Sequence, residues 1–128
     1  MKPESLTTHG ITVKVETMFI SDQSSIEKKI FTFAYRISIT NHTDDTIKLL
    51  RRKWIITDAL GGKKIIEGEG VLGVQPVLSP GESHTYVSGT HFPTLIGKME
   101  GTYTMLRYEE LIDVKIPVFV METPEILN

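Results

Sequence analysis

The chain has 128 residues, 40% of them hydrophobic and 23% charged, the composition of one folded globular domain, which excludes a disordered or fibrous chain. Fourteen Lys and Arg against sixteen Asp and Glu leave a formal net charge of −2, so no basic field draws in nucleic acid or anionic lipid. The absence of cysteine excludes disulfides, thiolate metal sites and cysteine nucleophiles and suits a reducing compartment; with no apolar signal core and no run near the ~20 residues of a membrane span, a cytoplasmic location is expected.

The first strand signal covers residues 11–20, where Ile11, Val13, Val15, Thr17 and Phe19 alternate with Thr12, Lys14, Glu16 and Met18. After a polar break, Phe31, Phe33, Tyr35, Ile37 and Ile39 define the clearest strand of the chain. Turn-forming Asn41-His42-Thr43-Asp44-Asp45 leads into a third strand with Leu50, Trp54 and Ile56 as core anchors. Gly61-Gly62 turns the chain into a short strand, 63–67, that pairs back on the third. Residues 68–81, GEGVLGVQPVLSPG, are too broken for a helix and too apolar for a solvated linker. Three more strands are expected near 82–90, 98–108 and 111–121. In the last, Ile112, Val114, Ile116, Val118 and Val120 share one face, and Pro117 requires an edge or bulge. About seven strands without an amphipathic helix predict an all-β, antiparallel sandwich of immunoglobulin-like or fibronectin type III-like form, a single domain over 1–128 with its core in 10–121 and short tails. Trp54 on the third strand and Tyr103 on the sixth match the buried aromatic and the tyrosine of such sandwiches, and Met105 stands where disulfide-bonded relatives carry cysteine.

Few motifs point to chemistry. Gly68-Glu69-Gly70-Val71-Leu72-Gly73 matches G-x-G-x-x-G, but a pyrophosphate cradle of that kind needs a helix starting inside the motif, and Pro76 and Pro80 leave no room for one. Glycines supplying positive φ in a long loop are the simpler reading. His84 and His91 are an odd number of residues apart, so their side chains diverge along a strand; His9 and His42 are isolated. Asp44-Asp45 and Glu109-Glu110 read as solvent-facing turn charge, and Glu67 and Glu69 share a strand face without the aromatics of a sugar site. Arg51-Arg52-Lys53 alternates faces and reads as an ion-pairing set. The apolar residues of the long loop, Val71, Leu72, Val74, Val77 and Leu78, either cap the core or present a partner-binding surface.

Several blocks resemble the ApaG family: Phe33-Ala34-Tyr35, Ile37-Ser38-Ile39-Thr40-Asn41, the run from Leu49 to Ala59, Gly68-Glu69-Gly70-Val71-Leu72-Gly73-Val74-Gln75-Pro76, Leu78-Ser79-Pro80-Gly81-Glu82, Ser88-Gly89-Thr90, the run from Gly97 to Met105, and Ile116-Pro117-Val118-Phe119. The resemblance spans about residues 11–119 and departs at Lys53, where many relatives carry histidine. It implies a fibronectin type III-like sandwich. It also implies an association, in bacteria, with cobalt and magnesium efflux phenotypes and, from fusions of similar domains to larger eukaryotic proteins, a role in protein interaction. It brings no catalytic residues.

The expectation is therefore a non-enzymatic protein-interaction module without cofactor, linked only indirectly to cobalt and magnesium resistance. It would act through the loop residues Gly68, Gly70, Val71, Leu72 and Gly73 or through a free sheet edge, which could equally serve strand addition or a homodimer. The alternative is a small-ligand binder, taking a pyrophosphate or nucleotide compound at Gly68 to Gly73 or a divalent cation near His84 and Glu82.

Overall fold

The computed structural model describes residues 3–124. Nine strands form among them: β1 (Glu4–Thr8), β2 (Ile11–Phe19), β3 (Phe31–Asn41), β4 (Ile47–Asp58), β5 (Lys63–Glu69), β6 (Val77–Leu78), β7 (Ser83–Phe92), β8 (Ile96–Arg107) and β9 (Glu110–Glu122). One antiparallel sheet has the order β1-β2-β3-β7 and the other β5-β4-β8-β9, with β6 also paired to β4. The alternating apolar faces of β2 and β3 meet those of β4, β8 and β9 in one core that includes Ile11, Phe33, Ile37, Ile39, Trp54, Tyr103, Met105 and Val114, giving the expected immunoglobulin-like, fibronectin type III-like sandwich. Trp54 is held at its centre by Tyr35 and Phe119, with ring centroids 5.7 and 5.9 Å away.

Four details differ from the sequence expectation, each for a local reason. Nine strands replace about seven. Residues 4–8, expected as a tail, form β1, which pairs with β2 from Glu4↔Val15 to Thr8↔Ile11. The chain reverses through His9 and Gly10, both at positive φ, a tight hairpin turn. Four of the five β1 residues are exposed, so no alternation announces the strand. Val77 and Leu78 form the second added strand, inside the expected loop.

Two β-bulges overturn the other expectations by shifting the two-residue alternation by one. In β4 the register with β8 slips between Leu49 and Arg51. Ile47 and Leu49 therefore point into the core, and Leu50, expected as an anchor, does not. In β9 the slip falls opposite Met99 and Gly101, at Pro117 and Val118. Pro117 thus sits at both a bulge and an outer strand, but beyond it Phe119 and Met121 are buried while Val118 and Val120 face out.

The two long sides of the sandwich are unlike. On one, β1 lies against β9, and the Lys115 backbone N–H donates to the Thr8 hydroxyl at 3.4 Å. On the other, β7 and β5 end their respective sheets and do not pair.

Candidate functional site

The unpaired side positions the glycine-rich segment. β5 pairs with residues 51–57 of β4 and β6 with residues 47–48, so the two are pieces of one edge strand from which residues 70–76 are looped out. The bulge at Leu49/Arg51 makes this possible by turning the Leu50 carbonyl outward, where it accepts the Gly70 N–H at 2.8 Å and the Gln75 side-chain amide at 2.9 Å. Leu49 N–H donates to Pro76 O at 2.9 Å. From below, the Arg52 guanidinium donates from Nη1 to the carbonyls of Glu69 (3.2 Å) and Gly70 (3.0 Å).

At the tip, Val71 and Val74 exchange backbone hydrogen bonds in both directions (2.8 and 3.1 Å), enclosing Leu72 and Gly73 at φ of 47° and 80°. Positive φ at both central residues makes a type I′ turn. Gly70, at φ 62°, must be glycine because a Cβ would run into the Val74 carbonyl oxygen. The five sequence-predicted residues thus separate by role. Gly68 lies in β5 over the Arg52 guanidinium, Gly70 and Gly73 shape the turn, Val71 is buried at 1% exposure, and Leu72 projects at 62%. Of the remaining loop residues Leu78 joins the core while Val74 and Val77 are exposed. The apolar loop is therefore core cap on one side and free surface on the other.

The excursion leans over a cleft of about 360 Å3 between the two unpaired edges. Its lining includes Tyr35, Arg52, Trp54, Leu72, Tyr86 and Ser88. Tyr86 on β7 hydrogen-bonds Tyr103 on β8 beneath the cleft, and burial pushes the phenols of Tyr35, Tyr86 and Tyr103 up from their ordinary pKa. All three stay neutral through the physiological range. Arg52 is the charged group of this surface apart from the exposed Glu69, and among the described residues no carboxylate lies within ion-pairing distance of it.

The other candidates spread out. Arg51 and Lys53 lie on the outer face of their sheet, where Lys53 approaches Glu67 at 4.0 Å, while Arg52 turns inward. His84 shares the inward side of β7 with Tyr86, and His91 faces away. Among the described residues no group of three or more His, Cys, Asp or Glu is placed to hold a metal ion. Asp45 departs from the expected solvent-facing turn charge: its carboxylate accepts from Arg107 Nε at 2.8 Å and from the Tyr108 hydroxyl at 2.7 Å, clamping the β3–β4 turn to the end of β8. The sequence reading missed Arg52, Tyr86 and Ser88 as site residues. Arg52 stood inside a basic run that read as an ion-pairing set, although unbroken alternation back from Ile56 and Trp54 carries it to their inward face.

The sequence pattern of the ApaG domain matches residues 21–107. The chain belongs to the ApaG family. It is 45% identical over 121 residues to protein ApaG of Paramagnetospirillum magneticum, covering 94% of this chain and 93% of that one. It is 42% identical over 123 residues to protein ApaG of Pseudomonas paraeruginosa, covering 95% and 98%. A crystal structure described as that of an ApaA protein of Bordetella pertussis superposes with a TM-score of 0.86 at 36% identity, over 90% of this chain and 94% of the other. The C-terminal domain of wzt shares the fold alone, with a TM-score of 0.55 at 6% identity, covering 97% and 79%. The ApaG region thus contains the whole of the looped-out segment and β7.

Proposed function

We propose that this ApaG-family chain is a non-enzymatic protein-interaction module that receives its partner at the open side of the sandwich, over the excursion and the β5–β7 cleft. The observation that carries this reading is Leu72. A branched apolar residue is held in the left-handed region, at φ 47°, and 62% exposed. Such a backbone costs about 1 kcal/mol or more without glycine, and exposure forgoes the burial that usually offsets it. Strained presentation of an apolar side chain, with exposed Val74 and Val77 nearby, suits a contact made in a complex. No helix among the described residues is long and apolar enough to cross a membrane. We place the work of the module in the cytoplasm, with any link to cobalt and magnesium resistance running through the partner.

The ligand reading draws less support. The Gly70, Val71 and Val74 amides already donate to protein carbonyls, which leaves the glycine motif few donors for a phosphate.

The test is capture of cell proteins on immobilised chain, comparing the native sequence with Leu72→Asp at matched folding. A partner retained by the first and lost by the second is expected. An identical set of captured proteins would refute the reading.

A further inference from the structure

We infer that the occupant of the β5–β7 cleft is an extended acidic segment of another protein, added as a strand along β7 with a carboxylate seated on Arg52. This rests on the interaction reading above and names the chemistry of its partner.

The edges of the two sheets differ in how they are guarded. Natural sheet edges are blunted by charge, proline, bulges or shortness. β1 has only five residues. β5 carries Lys63, Lys64, Glu67 and Glu69. β9 has a bulge at Pro117, several charged residues and β1 against it. β7 has none of these protections. Its ten residues, SHTYVSGTHF, contain no Lys, Arg, Asp, Glu or Pro. Its register with β3 runs without a slip from Phe31↔Phe92 to Thr40↔Ser83. A long, regular, uncharged edge is a template for another strand.

A strand added there sends every second side chain to the inner side, which in β7 is the side of Tyr86 and Ser88 and of the cleft. There it meets Arg52. The guanidinium is partly buried, fixed by two backbone carbonyls, and among the described residues has no carboxylate within ion-pairing distance, Glu69 being the exposed acid of the same cleft. A half-desolvated guanidinium with donors to spare calls for an anionic acceptor. The neighbouring lining of Tyr35, Trp54 and Leu72 accepts apolar side chains on either side of that acid. A second copy of the chain is a poorer occupant. A β7–β7 ladder brings no carboxylate, since β7 has none. β5 of another copy carries Glu67 and Glu69, but in the closed pair that reciprocal β5–β7 exchange would give, both stay with Arg51 and Lys53 on the outer face of the joined sheet, away from Arg52.

The experiment selects binders to the immobilised full chain from a displayed library of random twelve-residue peptides. The selected peptides are then titrated in solution by the fluorescence of Trp54, the single tryptophan, which lines the cleft. The expected peptides carry Asp or Glu at one position with apolar residues two places away. Replacing that acid by its amide, or Arg52→Gln in the protein, weakens binding by about tenfold or more, and the two changes together cost little beyond either. Because Arg52 also props the excursion, N-methylation of alternate peptide amides gives a test that leaves the protein untouched; one of the two alternating sets should abolish binding. Selected peptides that lack an acid, or that ignore Arg52→Gln and N-methylation, overturn the inference. If they still depend on Leu72, the interaction reading survives; if no peptide is selected and Leu72→Asp changes nothing in partner capture, both fall. Mass that grows with protein concentration and reverts in Arg52→Gln would also overturn it, by placing a second copy in the cleft.

Discussion

The Tyr86 hydroxyl on β7 and the Tyr103 hydroxyl on β8 hydrogen-bond to each other inside the sandwich, joining its two sheets by a polar contact within an apolar core. Each phenol satisfies the other where water is excluded. Removing one hydroxyl strands its partner, at about 1–3 kcal/mol, whereas removing both leaves no orphan. Tyr86→Phe and Tyr103→Phe should each lower stability in urea unfolding, and the double variant should lose clearly less than the sum. Strict additivity would show that the contact carries no coupling.

Leu72 should show a trade between stability and binding. Leu72→Gly removes the left-handed strain at φ 47° and is expected to stabilise the chain by about 0.5–1 kcal/mol while weakening partner capture. A thermal scan beside the capture assay reads both. A Leu72→Gly chain that is less stable than the native one would mean that the exposed side chain contributes to folding after all.

Gly70 and Gly73 both have positive φ, but only Gly70 is also crowded, by the Val74 carbonyl. Gly73→Ala should cost about 1 kcal/mol through backbone strain alone. Gly70→Ala adds a steric clash and should cost more, with the loss of the excursion visible as a change in Trp54 fluorescence. Equal costs at the two positions would argue against the close approach.

The Tyr108 hydroxyl and the Arg107 guanidinium hold the Asp45 carboxyl below the usual carboxylate range. A depressed folded-state pKa contributes stability that is fully present above the unfolded value, about 3.9, and lost as pH falls through the folded value. Asp45→Asn should flatten that acid limb of the stability curve. The same bond raises the Tyr108 phenol, so in Asp45→Asn its phenolate absorbance should appear at lower pH. An unchanged Tyr108 titration would rule out the bond in solution.

Leu49 and Leu50 stand at the point where sequence reasoning lost the register. Leu49→Ala is expected to cost about 2–5 kcal/mol and Leu50→Ala far less, the reverse of what alternation counted back from Trp54 suggests. Equal losses would place both side chains in the core.

The fold was legible because β2, β3 and most of β8 alternate without interruption, and because a single burial parity runs through Phe33, Tyr35, Ile37 and Ile39. The alternation failed at the two bulges: the one beside Leu50 leaves no trace in side-chain character, and the one at Pro117 was signalled by the proline, but the change of parity beyond it, to Phe119 and Met121, was not followed. Of the site, the glycines and Leu72 could be picked out by residue type. Arg52, Tyr86 and Ser88 could not, because their meeting depends on β4 and β7, strands of different sheets that are far apart in the chain.

The contact of β1 with β9 has a consequence for the order of assembly. Thr8 and Lys115, 107 positions apart, can meet only after the chain through Lys115 is available, and closing so long a loop is entropically late. On a ribosome releasing the chain from its first residue, the β1–β2 hairpin waits for β9 with one flank uncovered. This seam is then late to form, and shortening the chain before Lys115 should leave an aggregation-prone β1–β2 edge where β9 otherwise lies against it.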